Sequence, residues 1–328
     1  MGAWVEETTF LGQPAIRASN GQLSFVVVPA WGSNLISLVH EPTGTEVLRV
    51  PPLPDAFWQG FGPVLYGVPV LFPPNRIAGG RFVYRGREYR LDINEPERGN
   101  HIHGFVYMRP WDVVRAGVDA AGRPVVETRF DVARHADRAA ILRQFPHEFV
   151  LTLRFALEGG TLLKEAEVHN AGDEPFPYGF GFHTAFALPD GARFSLDVAQ
   201  RWRLDERMVP TGQLEDFPFR DELARGMDLA GVALDEAFFV GEEAKPSAAT
   251  VTYTAGPARL VVRYAVDENF RHWYVYTADG RSGFVCPEPY TWIANAPNLE
   301  LPAALTGLRE LQPGQRQRLF TSITVATA

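Results

Sequence analysis

The carboxyl group of Glu288 is the strongest candidate for acid–base chemistry in this sequence. It lies in the segment Gly283–Trp292 (GFVCPEPYTW), after an apolar run and between two prolines, which fix the backbone φ on either side. Apolar neighbours remove water from a carboxylate and raise its pKa toward the range that is useful for a general base. The pattern therefore predicts a catalytic base, and a buried acid with a structural role remains the alternative.

A single histidine, His183, interrupts the apolar, glycine-containing run Tyr178–Leu188 (YGFGFHTAFAL). Glycine within a strand often marks the close approach of a ligand or of another backbone segment. A neutral imidazole can donate or accept a proton near physiological pH. His183 is thus a candidate for proton transfer, with a hydrogen-bonded core histidine as the alternative.

Two further histidines, His101 and His103, lie in the segment Gly99–Phe105 (GNHIHGF). If this segment is extended, both side chains share one face, as two histidine ligands of a metal ion would. Residues 104–112 contain no glutamate to complete such a site, so we expect no metal there. A histidine held by a hydrogen bond in a β core is the more common situation.

Three polar residues are candidates for binding a ligand that carries oxygen atoms. Asn75 and Arg76 follow an apolar run, and arginine offers a fixed fork of donors that suits hydroxyl or carboxylate oxygens. Asp235 lies between apolar residues where a loop is expected to enter a strand. Each of the three is also compatible with an ordinary surface turn.

The elements that must position these residues are β-strands, because apolar residues alternate with a period of two along most of the chain. The segments 149–157 and 161–168 predict the clearest hairpin, with Leu153 and its alternate neighbours on one face. Helical periodicity is confined to Ala136–Gln144 and Asp221–Leu229. The sequence predicts an all-β fold of two large antiparallel sheets packed face to face, in a single domain over residues 1–328.

Composition excludes several classes of protein. The 328 residues carry 31 Lys+Arg and 39 Asp+Glu, a net charge of −8, and no basic patch suggests a nucleic-acid partner. The apolar run Leu23–Trp31 is too short to span a membrane, and Met1–Thr9 lacks the basic stretch of a signal peptide. We therefore expect a cytoplasmic protein. The single Cys286 rules out an internal disulfide and is expected in the core.

Taken together, the candidate segments resemble the aldose 1-epimerase family, the galactose mutarotases. The similarity extends from about Gln22 to Val325 and rests on motifs in the family's order, namely Asn75-Arg76-Ile77, Ile102-His103-Gly104, His183 with Phe186–Pro189, Asp235 and Glu288. Supporting similarities are Phe145–Phe149, Ala294–Asn298 and Leu311–Gly314. One departure is Thr184-Ala185, where the family usually has Pro-Tyr.

The resemblance implies a β-supersandwich fold and interconversion of the α and β anomers of a free aldohexose such as galactose or glucose. By the resemblance, Glu288 is the general base and His183 the general acid, with His103 as a second candidate for the acid role. Arg76, His103 and Asp235 would hold sugar hydroxyls, together with Asn75, which is adjacent to Arg76. The implied reaction uses no metal, nucleotide or covalent intermediate. Aromatic side chains expected either to stack on the sugar or to pack in the core are Phe182, Tyr290 and Trp292.

Three alternatives remain at this point. A hexose-6-phosphate 1-epimerase would need further cations, for which Arg98 and Arg109 are candidates. A non-catalytic sugar-binding module on the same fold would have no need of both an acid and a base. A glycoside hydrolase would need two carboxylates flanking the scissile bond, and only Glu288 is well placed. The expected partner is a small monosaccharide, and the oligomeric state is either a monomer or a homodimer.

Overall fold

Antiparallel sheet dominates the computed structural model, which describes residues 2–328. The strands are β1 (Trp4–Phe10), β2 (Gln13–Ser19), β3 (Leu23–Val28), β4 (Asn34–His40), β5 (Thr45–Glu46), β6 (Val70–Leu71), β7 (Arg76–Ala78), β8 (Arg81–Tyr84), β9 (Arg87–Arg90), β10 (Asn100–Ile102), β11 (Asp112–Val118), β12 (Pro124–Asp131), β13 (Phe149–Glu158), β14 (Thr161–Asn170), β15 (Phe176–Tyr178), β16 (Gly181–Phe182), β17 (Phe186–Ala187), β18 (Arg193–Leu196), β19 (Gln200–Leu204), β20 (Pro210–Glu215), β21 (Asp235–Phe239), β22 (Ser247–Ala255), β23 (Ala258–Val266), β24 (His272–Tyr276), β25 (Phe284–Tyr290), β26 (Arg309–Leu311) and β27 (Arg316–Thr327). The α-helices are α1 (Pro54–Trp58), α2 (Arg138–Gln144), α3 (Arg220–Arg225) and α4 (Ala303–Thr306), and single 3-10 turns cover Pro29–Trp31, Glu41–Thr43, Gly62–Val64, Val132–Arg134 and Ala296–Asn298.

Two eight-stranded sheets form the body of the fold. One has the order β11-β12-β13-β14-β27-β23-β22-β18, and the other β20-β19-β21-β24-β25-β16-β6, with β17 also paired to β25. Their inner faces meet where the ring of Tyr264 lies 5.9 Å from that of Phe186 and 5.7 Å from that of Trp273. A five-stranded sheet, β1 to β5, precedes them. The all-β prediction of large antiparallel sheets is confirmed.

The predicted hairpin and helices show where the sequence pattern holds and where it fails. Strands β13 and β14 pair with Leu157 opposite Leu162, and alternate residues of β13 are buried, as expected. Helix α2 lies within its predicted segment, but α3 ends at Arg225 rather than Leu229. The helix stops because Met227 exchanges backbone hydrogen bonds with Phe194 of β18 (2.7 and 2.9 Å).

The pairing of β21, β24 and β25 places the predicted acids on one face of the second large sheet. Asp235 is opposite Tyr276, and Tyr274 is opposite Glu288. Directly paired residues, and residues two apart along a strand, share a face of a sheet. The register therefore brings the carboxyl groups of Asp235 and Glu288 to the same surface from two strands separated by β24.

Two prolines fit inside the central strand β25 because their nitrogen atoms face a gap in the hydrogen-bond ladder. The backbone N–H of Thr291 donates to the Phe180 carbonyl. Because backbone nitrogens point alternately to the two sides of a strand, the nitrogens of Pro289 and Pro287 face the same side as that of Thr291. On that side the backbone N–H of His183 donates to Pro69 instead of to β25. The prolines thus remove no ladder bond, and the same gap leaves space for His183 beside Glu288.

Glycines in the run before His183 make room for aromatic rings of β25 and the residues after it. A Cβ added to Gly181 would lie inside the ring of Tyr290, and one added to Gly179 inside the ring of Trp292. The glycines predicted to mark a close approach therefore accommodate protein side chains. Both rings are fully buried, so neither can move aside into solvent.

Replacement of Gly181 by alanine should lower the free energy of unfolding by about 1–3 kcal/mol, because the added methyl group overpacks the ring of Tyr290. Gly117→Ala in β11 is the matched control, since its Cβ would meet no atom within 4 Å, and a change below about 0.5 kcal/mol is expected. Urea unfolding of both variants gives the comparison. Equal destabilisation by the two substitutions would contradict the packing described for Tyr290.

Candidate active site

All six residues predicted for the site line one cavity of about 140 Å³, on the face of the second large sheet that carries Asp235 and Glu288 and points away from the first large sheet. They are Asn75, Arg76, His103, His183, Asp235 and Glu288. Arg98, considered as a phosphate-binding cation, also lines the cavity, whereas sequence reasoning missed Glu95, Tyr276 and the exposed aromatic ring of Phe61. The structure thus brings together residues from five separate strands and loops.

His183 and Glu288 are in direct contact at the bottom of this cavity. His183 Nε2 lies 3.0 Å from Glu288 Oε1, and the two side chains are 5% and 3% exposed. Burial raises the pKa of Glu288 to about 8, and burial lowers the pKa of His183 to about 3, because each charged form loses its water. Both shifts favour the uncharged forms, so a protonated Glu288 lies beside a neutral His183 in the free protein.

A buried ion pair fixes the guanidinium of Arg76. Its Nε lies 3.1 and 3.0 Å from the two carboxylate oxygens of Glu95, and its Nη2 lies 3.0 Å from Oε1. Glu95 is fully buried and also accepts hydrogen bonds from Arg98 Nη1 (3.1 Å) and Asn100 Nδ2 (2.8 Å). Burial opposes its charge, but these donors, Arg76 first among them, hold the pKa of Glu95 below its usual value.

Strand β7, which carries Arg76, is held from both sides. On one side Ile102 of β10 is its direct partner. On the other side the N–H of Asn295 donates to the Arg76 carbonyl (2.7 Å), and Asn295 Oδ1 accepts from Ala78 N–H (3.1 Å). The late Ala294–Asn298 motif therefore acts as a clamp on the strand that presents the guanidinium.

His103 enters the cavity because the backbone turns at this residue. Its φ is +64°, in the left-handed region, and the following Gly104 has φ +70° and lies so close to Phe72 that a Cβ would overlap its carbonyl group. The extended segment thus includes His101 in β10 but ends before His103, so the condition for two histidines on one face is not met. His101 Nδ1 instead lies 2.7 Å from the Asp92 carbonyl, and within residues 2–328 no cluster of three or more potential metal ligands is present.

Asp235 lies at the start of β21 and faces Arg76 across the cavity. Its Oδ2 is 4.0 Å from Arg76 Nη2, and its side chain is 32% exposed. Burial raises the pKa of this carboxyl, while the charge of Arg76 opposes the rise. Asp235 therefore presents oxygen atoms to a ligand near the opening of the cavity.

Several residues singled out in the sequence lie outside the cavity lining. Phe182 and Trp292 pack in the main core, and Thr184 and Ala185 are fully buried behind His183. The Thr184-Ala185 departure therefore changes the support of His183 rather than the wall of the cavity. Cys286 is buried, as expected.

Comparison with known proteins identifies the family of this chain. The aldose 1-epimerase family model matches residues 14–324. The chain belongs to the aldose 1-epimerase family. Both the family resemblance and the β-supersandwich fold predicted from it are confirmed.

Solved structures and curated relatives support the assignment to this family. A galactose mutarotase-like protein from Clostridium acetobutylicum is 26% identical, with a TM-score of 0.90 over 100% of this chain and 99% of that one. Galactose 1-epimerase from Lactobacillus acidophilus NCFM shares the fold, at 16% identity and a TM-score of 0.72 over 99% and 98% of the chains. The uncharacterized YphB of Escherichia coli K12 is 24% identical over 253 residues, 72% of this chain and 80% of its own length.

Within residues 2–328, no helix of this protein is long and apolar enough to cross a lipid bilayer. Its longest α-helix, α2, covers only Arg138–Gln144.

The imidazole of His183 should stay neutral down to about pH 5, because burial places its pKa well below the usual 6.5. Nitrogen-15 NMR of histidine-labelled protein measures this directly, and the His183 signal is the one lost in His183→Asn. His272 is the internal control, since burial also lowers its pKa to about 3 but it lies outside the cavity lining. Titration of the His183 ring near pH 6.5 would contradict the buried pair.

Proposed function

We propose that the protein is an aldose 1-epimerase that interconverts the α and β anomers of a free aldohexose, galactose or glucose. The contact between His183 and Glu288 inside a cavity lined by hydroxyl-binding groups carries this proposal. Anomer exchange needs one proton removed from the C1 hydroxyl and one delivered to the ring oxygen. A single acid and a single base, close enough to serve adjacent oxygens of one sugar, match that requirement.

Glu288 is the base for the C1 hydroxyl and His183 the acid for the ring oxygen. As Glu288 takes the hydroxyl proton and His183 releases its own, the bond between C1 and the ring oxygen breaks and an aldehyde forms. Rotation about the C1–C2 bond presents the other face of the carbonyl group. Reclosure reverses both transfers and returns each proton to the group that held it.

The protonation of the free pair fits this cycle. Burial favours the uncharged arrangement, with the proton on Glu288 and a neutral His183. This is the state that follows ring opening. The state that precedes ring opening differs by transfer of one proton across the 3.0 Å contact, so the cycle takes no net proton from solvent.

The remaining residues hold the sugar away from its reacting carbon. Arg76, held rigidly by Glu95, offers donors to sugar oxygens, and Asp235 offers acceptors. Asn75 and His103 line the same wall, and His103 is a second candidate for the acid role. We also propose that residues 1–328 form one domain and that the protein is cytoplasmic and a monomer or homodimer.

Glu288→Gln and His183→Asn should each lower kcat by about 10²–10⁴-fold with sugar binding nearly unchanged, because each removes one proton-transfer group. Polarimetry of fresh α-galactose or α-glucose measures the rate. Glu236→Gln is the matched control, since this carboxylate points to the opposite face of β21 and pairs with Arg201 (3.3 Å). A variant that keeps its rate within about tenfold would show that the replaced residue lacks the proposed role.

A hexose 6-phosphate is the second candidate substrate, because Arg98 lines the cavity with a side chain that is 37% exposed. A guanidinium in this position can bind a phosphate. The other cation considered, Arg109, pairs with Asp137 (3.0 Å) and is not part of the lining.

We expect kcat/KM for free glucose or galactose to exceed that for glucose 6-phosphate, because Arg98 already shares the charge of Glu95 with Arg76. Anomer exchange by NMR gives both values. A higher kcat/KM for glucose 6-phosphate would contradict this expectation. If Arg98→Gln abolished that preference and the control Arg109→Gln kept it, the phosphorylated sugar would be the substrate.

A further inference from the structure

The hydroxyl group of Tyr290 makes a contact that the acid–base mechanism does not itself require. It donates a hydrogen bond to Glu288 Oε2, while Oε1 faces His183. Among residues 2–328, His183 and Tyr290 are the two side chains in polar contact with the Glu288 carboxyl, one at each oxygen. Tyr290 and Glu288 are two residues apart on β25, so they share a face of the sheet.

The orientation of Tyr290 is fixed by groups on other elements. The ring occupies the space left by the missing side chain of Gly181. Its hydroxyl lies 3.5 Å from Asn75 Nδ2. The amide of Asn75 has a defined direction because its Oδ1 accepts the backbone N–H of Arg76 at 2.8 Å. A chain of donors thus runs from Asn75 through Tyr290 to Glu288.

These hydrogen bonds place the two oxygens of Glu288 in different environments. When a sugar binds between His183 and Glu288, the imidazole must turn its proton to the ring oxygen, and the carboxylate loses that partner. Tyr290 is outside the cavity lining, so its hydrogen bond persists. One oxygen then stays engaged with the protein and the other is free to take the proton of the C1 hydroxyl.

We propose that Tyr290 is a positioning residue that holds Oε2 of Glu288, directs Oε1 to the C1 hydroxyl and stabilises the anionic form of the base. This inference rests on the proposed function. Stabilisation of the anion by a hydrogen bond counteracts burial, which by itself raises the pKa of Glu288. Burial and the neighbouring Glu288 also raise the pKa of Tyr290 itself, so that its hydroxyl remains a donor.

Tyr290→Phe tests the inference because it removes the hydroxyl and keeps the ring. Loss of one hydrogen bond to a charged group should lower kcat about tenfold or more with little change in KM. The basic limb of the pH–rate profile should move upward by about one pH unit, because a less stabilised carboxylate holds its proton to higher pH.

Tyr274→Phe is the matched control. Tyr274 lies on the adjacent strand β24 opposite Glu288, with its ring 5.2 Å from that of Tyr290. Its hydroxyl is buried and has no hydrogen-bond partner in the structure of residues 2–328. Kinetics and the pH profile of this variant should match the wild type. An equal effect of both substitutions would assign Tyr290 a general packing role and overturn the inference.

Infrared titration separates this inference from the proposed function. The C=O band of protonated Glu288, identified by its loss in Glu288→Gln, should disappear as the pH rises through about 8 in the wild type. In Tyr290→Phe the band should persist about one pH unit higher. This readout holds even if no sugar is turned over, and an unchanged titration would overturn the inference.

A second variant keeps the test decisive if Tyr290→Phe folds poorly. Incorporation of 3-fluorotyrosine at position 290 preserves the ring and makes the hydroxyl a stronger donor. The C=O band and the basic limb should then move to lower pH, opposite to the change in Tyr290→Phe. Movement in the same direction for both variants would contradict the proposed hydrogen bond.

Discussion

The central constraint in this structure is the removal of water from the carboxyl group of Glu288. Only 3% of the side chain is exposed, and burial raises its pKa to about 8. A carboxylate in this position is stable only with partners of fixed geometry, which are His183 on one oxygen and Tyr290 on the other. In the proposed mechanism, Glu288 exchanges a proton with His183 and keeps its hydrogen bond to Tyr290.

The fold supplies that geometry through a gap in a central sheet. Strand β25 runs between β24 and the short strands β16 and β17. Where His183 enters, backbone hydrogen bonds to β25 are missing, and the prolines of β25 have no N–H groups that would need them. Arg76 is held at a comparable depth by Glu95 and by the Asn295 clamp. Removing Glu95 or Arg76 would leave the other charge buried without a partner and lower the free energy of unfolding. The ion pair therefore stabilises both the cavity and the fold.

The sequence was sufficient to predict the strands and the principal site residues, because alternation and the surroundings of His183 and Glu288 are local properties. It could not predict the pairing of Arg76 with Glu95, since contact between residues on different segments depends on the register of β7 and the loop before β10. The left-handed backbone at His103 could not be predicted either, because it accompanies the pairing of Gly104 with Phe72, which is distant in the sequence. The position of the Tyr290 ring could not be predicted, because it depends on the pairing of Tyr290 with Gly181 on another strand.

Ring opening by proton transfer leaves the C1 oxygen on the sugar, and isotope-resolved anomer exchange tests this mechanism. Catalytic protein would be added to freshly dissolved α-galactose and α-glucose labelled with oxygen-18 at C1, and carbon-13 NMR would follow both anomers. We expect faster exchange with the label retained, because the labelled oxygen becomes the aldehyde oxygen. No acceleration on either sugar, or acceleration with loss of the label to water, would contradict this mechanism.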